Sequence, residues 1–371
     1  MKHSNHFSLA FTLIVSVGII AVVSILLPLF RATAAPPASG RSVVSLWGGA
    51  RHSIVLLTDG TVWDWGMNSN GKLGDNTIST FPPATPWENG SNDRHTPLQV
   101  HGPGNVGYLN SVKAIMGGET HNFALLSNGT VWAWGNDFAG ELGDGKTGVT
   151  SSVPVKVSGL SRVLNVTGGY EHSLALMPDH SLQAWGLNSD GELGDGSFTN
   201  RSTPVAVKGI SGVTQVSAGW KHSVALTQDN TVWTWGQNTN GELGDGMTDD
   251  RNVPAQVQGL SDGIAVSGGD CHTAALKEDG TVWTWGCNDR GQLGDGTTTE
   301  RHTPVQVIGL DHITAITARD YHNLALKDDG TLWAWGWNIN GQLGDGTTIT
   351  RTAPVEVLLL LKTEFVPIVI K

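Results

Sequence analysis

The chain has 371 residues and a formal net charge of −11; 15% of its residues are charged, against about 25% in an average soluble protein. An acidic chain with no basic stripe is a poor binder of nucleic acid, whose phosphates demand clustered Lys and Arg. Two cysteines exclude a disulfide-rich scaffold and a four-cysteine zinc site, and 15 tryptophans beside 49 glycines argue against disorder and collagen alike.

Residues 1–34 read as an address. Lys2 lies in a mostly polar start, Leu9 to Phe30 carries no charge, and Arg31 is followed by Ala32-Thr33-Ala34. A basic start, an apolar centre and a small-x-small site predict an export signal cut after Ala34. The apolar run also reaches the roughly 20 residues that span a bilayer, so an uncleaved N-terminal anchor is the alternative. Both place the remainder outside the cytoplasm, secreted or anchored, with membrane contact only through an uncleaved segment. Residues 35–42 form a linker.

From residue 43 to 358 one unit is written six times. Trp-Gly recurs at Trp65, Trp134, Trp185, Trp235, Trp285 and Trp335, with spacings of 69, 51, 50, 50 and 50. Such a period calls for a propeller, solenoid or array. The copies start at Val43, Val112, Val163, Val213, Gly263 and Ile313, and the long first interval holds an insertion over about residues 78–93, with Phe81 and Trp87. Within a copy, Ile264 to Ser267, His272 to Leu276, Thr281 to Gly286 and Pro304 to Val307 are short β-prone runs. Asp279-Gly280 between the second and third marks a hairpin. Asp179-His180 is the exception, placing His where φ > 0 is expected. Both faces of the hairpin are apolar: Trp283 and Trp285 share one with Thr273 and Ala275, Leu276 and Val282 the other. One such unit cannot bury both faces alone, so the units must stack and preferably close into a ring. The expected fold is therefore all-β, a propeller of four-stranded antiparallel blades. The apolar tail 359–371 is a candidate closing strand.

The run W-x-W-G-x-N-x-x-G-x-L-G-D-G, then P-V-x-V, with G-G-x-x-H-S-x-A-L before it, resembles the regulator of chromosome condensation repeat family, here as an exported bacterial-type member. The resemblance covers roughly residues 43–358. It implies a β-propeller, usually of seven blades; six complete units leave six blades, or seven with a degenerate one. It also implies protein partners. The founding nuclear member exchanges guanine nucleotide on a small GTPase, and secreted relatives inhibit β-lactamases through a propeller face. The plant ultraviolet-B receptor stacks G-W-R-H-T tryptophans; only Gly219-Trp220-Lys221-His222-Ser223 is similar here.

Candidate sites follow from comparing the copies. His52, His121, His172, His222, His272 and His322 recur once per copy, too dispersed for ligands that must converge within about 2–2.2 Å of a metal. The expected role is structural, each imidazole bonding loop backbone in its own blade. Asp75, Asp195, Asp245, Asp295 and Asp345 each have an Arg three residues before the strand Pro and are expected to pair with it. Copy two has Asp144 but Ser151, so any pairing there must differ. The acids lack the alternation of a calcium loop. No metal site and no cofactor is expected.

Cys271 and Cys287 are 16 apart. A three-residue turn over 278–280 would set them directly opposite one another, as a disulfide if oxidised or a free pair if not. The residues before each His and after each Trp-Gly vary from copy to copy, and the same arithmetic sets them at one end of the blades. That rim carries Tyr170, Glu171, Trp220, Lys221, Asp320, Tyr321, Trp337 and Phe138, with Trp87 on the insertion. Aromatics mixed with charges mark a binding surface. No nucleophile elbow, phosphate loop or zinc-protease motif is present. The expected function is non-enzymatic binding of a protein or glycan by a monomeric exported propeller. The alternatives are exchange-factor-like regulation of a small GTPase and a propeller enzyme acting on polysaccharide.

Overall fold

The structure is a computed structural model that describes residues 41–49, 51–80 and 90–359. The signal segment, Trp87 and residues 360–371 lie outside the described residues. Six four-stranded antiparallel sheets follow one another along the chain, each built from consecutive strands. They are the blades of a six-bladed β-propeller. Blade five serves as the type: Gly263–Gly268 innermost, then His272–Lys277, Val282–Gly286 and, outermost, Arg301–Gln306. The other innermost strands are Val43–Gly49, Val112–Gly117, Asn165–Gly168, Val213–Ala218 and Ile313–Arg319.

The hairpin register agrees with the arithmetic of the sequence: Thr273 faces Trp285, Ala275 faces Trp283 and Leu276 faces Val282. The turn positions take up positive φ, with Gly280 at 78° and His180 at 63°. The outermost strand differs from expectation. It begins at Arg301 rather than Pro304, so the proline lies inside it. The register slips there, between Val305 opposite Thr284 and Arg301 opposite Gly286. An edge strand with a local irregularity tolerates a residue that cannot donate to the ladder.

Burial occurs between blades rather than within them. Five apolar cores each join the faces of two consecutive blades, from the first pair to the fifth. Trp134, Trp185, Trp235, Trp285 and Trp335 are fully buried in them. Each indole also needs an acceptor. Nε1–H of these five donates to the backbone carbonyl of Lys72, Glu141, Glu192, Glu242 and Gln292 respectively, at 2.8–3.0 Å, on the preceding blade. The same carbonyls accept a second bond, from Asn122, Ser173, Ser223, Thr273 and Asn323 at 2.8–2.9 Å. The oxygen of each of those side chains in turn meets a histidine Nε2 of the preceding blade at 2.9–3.1 Å.

The histidines are therefore structural but not as expected: His52, His121, His172, His222 and His272 clasp the next blade's side chain, and the last four make no side-chain bond to loop backbone of their own blade among the described residues. Because the Ser, Thr or Asn donates to the carbonyl, its oxygen must accept, which fixes the proton on Nε2. Nδ1 of His121, His172, His222 and His272 is then a bare lone pair, buried without a partner. Burial, with neighbouring histidines adding to it, pushes His121, His172 and His222 down to about 3, so these rings are neutral. The glycine three residues before each of these histidines allows the ring its place. A Cβ on Gly219 would lie 2.2 Å from Cε1 of His222.

The intrablade ion pairs form at 2.7 Å for Asp75–Arg94, Asp195–Arg201, Asp245–Arg251, Asp295–Arg301 and Asp345–Arg351. In blade two, Asp144 takes Lys146 instead, at 2.8 Å.

Trp235→Phe keeps most of the buried volume but leaves the Glu192 carbonyl one donor short. A loss of about 1–3 kcal/mol is expected in urea unfolding. Trp233→Phe, which removes a half-exposed bond to Thr231, should cost less than about 1 kcal/mol. Equal losses would contradict the role given to the interblade bond.

Candidate functional site

The residues before each His and after each Trp-Gly meet at one end of the blades. The N–H of Met67, Asn136, Leu187, Gln237, Cys287 and Trp337 donates to the carbonyl of Arg51, Thr120, Glu171, Lys221, Cys271 and Tyr321 in turn, at 2.8–3.0 Å. These loops also bond across blades. Tyr170 N–H donates to Trp220 O, Trp220 N–H to Gly269 O, and Asp270 N–H to Asp320 O. The rim is a continuous backbone-bonded ring segment from which side chains project, so its variable residues are held by a rigid frame.

Two edge-to-face aromatic pairs stand on it: Tyr170–Trp220 with centroids 5.5 Å apart, and Tyr321–Trp337 at 5.9 Å. Arg290 lies over the Trp337 ring at 5.9 Å. Lys221 pairs with Asp190 at 2.8 Å. Glu171 lies beside Asn136 and is raised above the usual carboxylate range by burial, against the opposing pull of Lys221. Trp220 is 38% exposed and Phe138 61%. Between the two pairs lies a cleft of about 600 Å³, walled by Trp220, Tyr321, Asn240, Asp289, Glu300 and the Cys271–Cys287 pair. The two cysteines are joined, with Cα atoms 5.5 Å apart, and Gln292 Nε2 reaches Cys287 Sγ at 3.0 Å. Of the sequence-derived candidates, Tyr170, Glu171, Trp220, Lys221, Asp320, Tyr321, Trp337 and Phe138 all lie on described residues. Trp87 does not.

A group that sequence comparison missed is Glu119, Asp270 and Asp320, from blades two, five and six, whose carboxylate oxygens lie within 4.8 Å of one another. Nothing in the spacing of three acids on separate copies signals that they meet; ring closure alone brings them together. Burial and then the neighbouring Glu119 and Asp320 push Asp270 up to about 8. Glu119 is raised first by burial and then by the charge of Asp320 beside it, while Arg319 opposes the shifts of both Glu119 and Asp270.

An RCC1-like domain model matches residues 30–263, more than half of the chain. The chain belongs to the RCC1 family. RCC1 repeats match residues 279–326 and 329–369 besides. This RCC1-like chain is 35% identical over 168 residues to the human "Probable E3 ubiquitin-protein ligase HERC6", covering 45% of this chain and 15% of that protein. It is 32% identical over 165 residues to the "Ultraviolet-B receptor UVR8" of Arabidopsis thaliana, covering 44% and 33%. The chain thus spans a third or less of the length of these curated relatives. Human WBSCR16 shares the fold with a TM-score of 0.74 at 23% identity, over 86% of this chain and 83% of that one. Prp20p of Saccharomyces cerevisiae, described by its binding to Gsp1p and histones, does so at 0.69 and 23%, over 85% and 76%.

Between the unfolded value of 3.8 and the folded value of about 8, native Asp270 holds a proton that the unfolded chain has lost. Its contribution is therefore full below about pH 4 and is lost as pH rises through about 8. Asp270→Asn should flatten that fall. Urea unfolding at about pH 5 and about pH 8.5 is expected to show the variant gaining on the wild type at the higher pH. Parallel losses in both proteins would contradict the assignment.

Proposed function

We propose that this propeller is a non-enzymatic binding module, exported to the cell exterior, that takes a protein partner on its variable rim. The observation that carries the proposal is the pair of half-exposed aromatic couples, Tyr170–Trp220 and Tyr321–Trp337, on either side of one open cleft. Large, rigid side chains with few torsions give contact area at small entropic cost, and interfaces concentrate their energy in such residues. The acids around them, Glu171, Asp289, Glu300 and Asp320, favour a partner that offers basic groups around an apolar centre. Family membership supports a protein partner, since the related yeast propeller is described by its binding to Gsp1p and histones. The run from Leu9 to Ala34 supports export.

The test is capture of partners from the producing cell's exterior fraction by the mature chain, repeated with Trp220→Ala and Trp337→Ala. Both side chains stand on backbone that keeps its own bonds, so the thermal midpoint should hold. Trp220→Ala is expected to weaken capture about ten-fold or more, as hot-spot truncation does. Full retention of every partner by both variants would overturn the proposal.

A further inference from the structure

Blade five differs from its sisters at the rim by one covalent bond. Cys271 and Cys287 are joined where the other copies have Arg51 and Met67, Thr120 and Asn136, Glu171 and Leu187, Lys221 and Gln237, or Tyr321 and Trp337. The fold does not call for this bond. In all six blades the N–H of the second residue donates to the carbonyl of the first at 2.8–3.0 Å, and five blades close the loop in this way without a disulfide. Behind it the hairpin of blade five runs in register from His272 opposite Gly286 to Leu276 opposite Val282. Before it, Asp270 N–H is tied to the Asp320 carbonyl of blade six at 2.9 Å. Opening the sulfur bridge leaves that frame in place.

The bridge is placed for chemistry. Both cysteines line the open cleft beside Trp220 and Tyr321. They are not equivalent: Cys271 is half-buried, whereas Cys287 is 6% exposed. The Gln292 amide distinguishes them further. Its Nε2 lies 3.0 Å from Cys287 Sγ but 3.9 Å from Cys271 Sγ. The orientation of the amide is fixed from its other end, since Oε1 accepts from Arg290 N–H at 2.8 Å. The end that faces sulfur is therefore the donor. Asp289 Oδ1 lies 3.3 Å from the same Nε2, and its charge is met by Arg290 at 3.2 Å.

The sister blades show what the amide adds. Blades two to four have Glu141, Glu192 and Glu242 at this place. One oxygen of each accepts a loop N–H, from Ala139, Asp190 and Asn240, just as Gln292 Oε1 does from Arg290. The other end of a carboxylate offers only an acceptor, and Glu192 Oε1 is buried there without a partner. A carboxylate would repel a sulfur anion at Cys287; an amide N–H donates to it. The Gln292 side chain is fully buried, and its main-chain carbonyl is held by Trp335 and Asn323 of blade six, so the donor is positioned in advance.

We propose that the Cys271–Cys287 disulfide is exchange-active and captures a cysteine of the protein that docks on the rim. This deepens the rim-binding reading and rests on it. The partner's thiolate attacks Cys271 Sγ. The bond between the partner's sulfur and Cys271 forms as the bond to Cys287 breaks, and Cys287 leaves with the electron pair as a thiolate that accepts from Gln292 Nε2–H. The proton given up by the partner's thiol goes to solvent, and nothing is oxidised or reduced overall. Exchange proceeds at the more accessible sulfur and with the better-stabilised leaving group, and both conditions select Cys271 as the point of attack. Return of the Cys287 thiolate onto Cys271 releases the partner, so capture is reversible.

The test uses the full chain with its disulfide intact and cysteamine in excess, a small thiol whose ammonium suits a cleft bearing Asp289 and Glu300. Exchange is quenched with N-ethylmaleimide and read by peptide mass spectrometry. Singly exchanged chains are expected to carry cysteamine on Cys271 and maleimide on Cys287 about ten-fold or more over the reverse. The native rate is expected to lie within about ten-fold of that in the urea-unfolded chain. A slower native rate would mark a sealed structural bridge, and an even or reversed ratio would remove the directing amide; either overturns the proposal. Gln292→Glu, the residue of blades two to four, keeps the main-chain carbonyl of the clasp, so its thermal midpoint should hold while exchange slows about ten-fold. Unchanged exchange in that variant would overturn the role given to Gln292. Because cysteamine replaces the partner, these outcomes are independent of partner capture through Trp220 and Trp337.

Discussion

The fold depends on one backbone carbonyl at each of the five junctions from blade one to blade six. The loop that carries Lys72, Glu141, Glu192, Glu242 or Gln292 is folded inward, and its carbonyl is removed from water between two sheets. A buried carbonyl without donors would cost about 1–3 kcal/mol. Each receives two, an indole N–H and a hydroxyl or amide of the next blade. The apolar faces supply most of the attraction, but they are non-directional; the carbonyl sets the angle and register at which the next blade docks. A neutral histidine completes the set by holding the hydroxyl in the donating orientation. Since its ring is buried and held far below its ordinary value, the clasp does not titrate over the ordinary pH range.

That division of labour explains where sequence may vary. The Trp, the His, the residue after the His and the glycine beside the ring are tied to one another and repeat. The side chains at the rim supply none of the clasp bonds, so they are free to differ from blade to blade, while their backbone is bonded from loop to loop. A rigid frame with unlike side chains suits recognition, because little is lost in ordering them on binding. The acids Glu119, Asp270 and Asp320 belong to the same frame, brought together only because the loops converge.

Much of this was legible from the fifty-residue period. The period gave the blade, its hairpin register and hence the facing of Cys271 and Cys287. Positive φ at His180, the Asp–Arg pairs and the meeting of the two variable sets at one rim could be read the same way. The partners of the histidines could not be, because the decisive acceptor is a main-chain oxygen, which has no letter in a sequence. A trace was present all the same: the residue after the His of each repeat is Ser, Thr or Asn, a polar residue in an apolar strand that asks for a partner. The start of the outermost strand was misplaced because Pro304 looks like a strand entrance, whereas an edge position with slipped register accepts it inside. The acidic trio was invisible because its members are neighbours only in the ring.

The clasp also grades the molecule. Among the described residues, the clasp holds blades two to five on both sides, and blades one and six on one side only. Amide hydrogen exchange across the six innermost strands of the full chain tests this most directly. The account predicts that strands Val112–Gly117, Asn165–Gly168, Val213–Ala218 and Gly263–Gly268 exchange last and together, with Val43–Gly49 and Ile313–Arg319 ahead of them. Uniform protection of all six, or earliest exchange in the middle of the series, would contradict it.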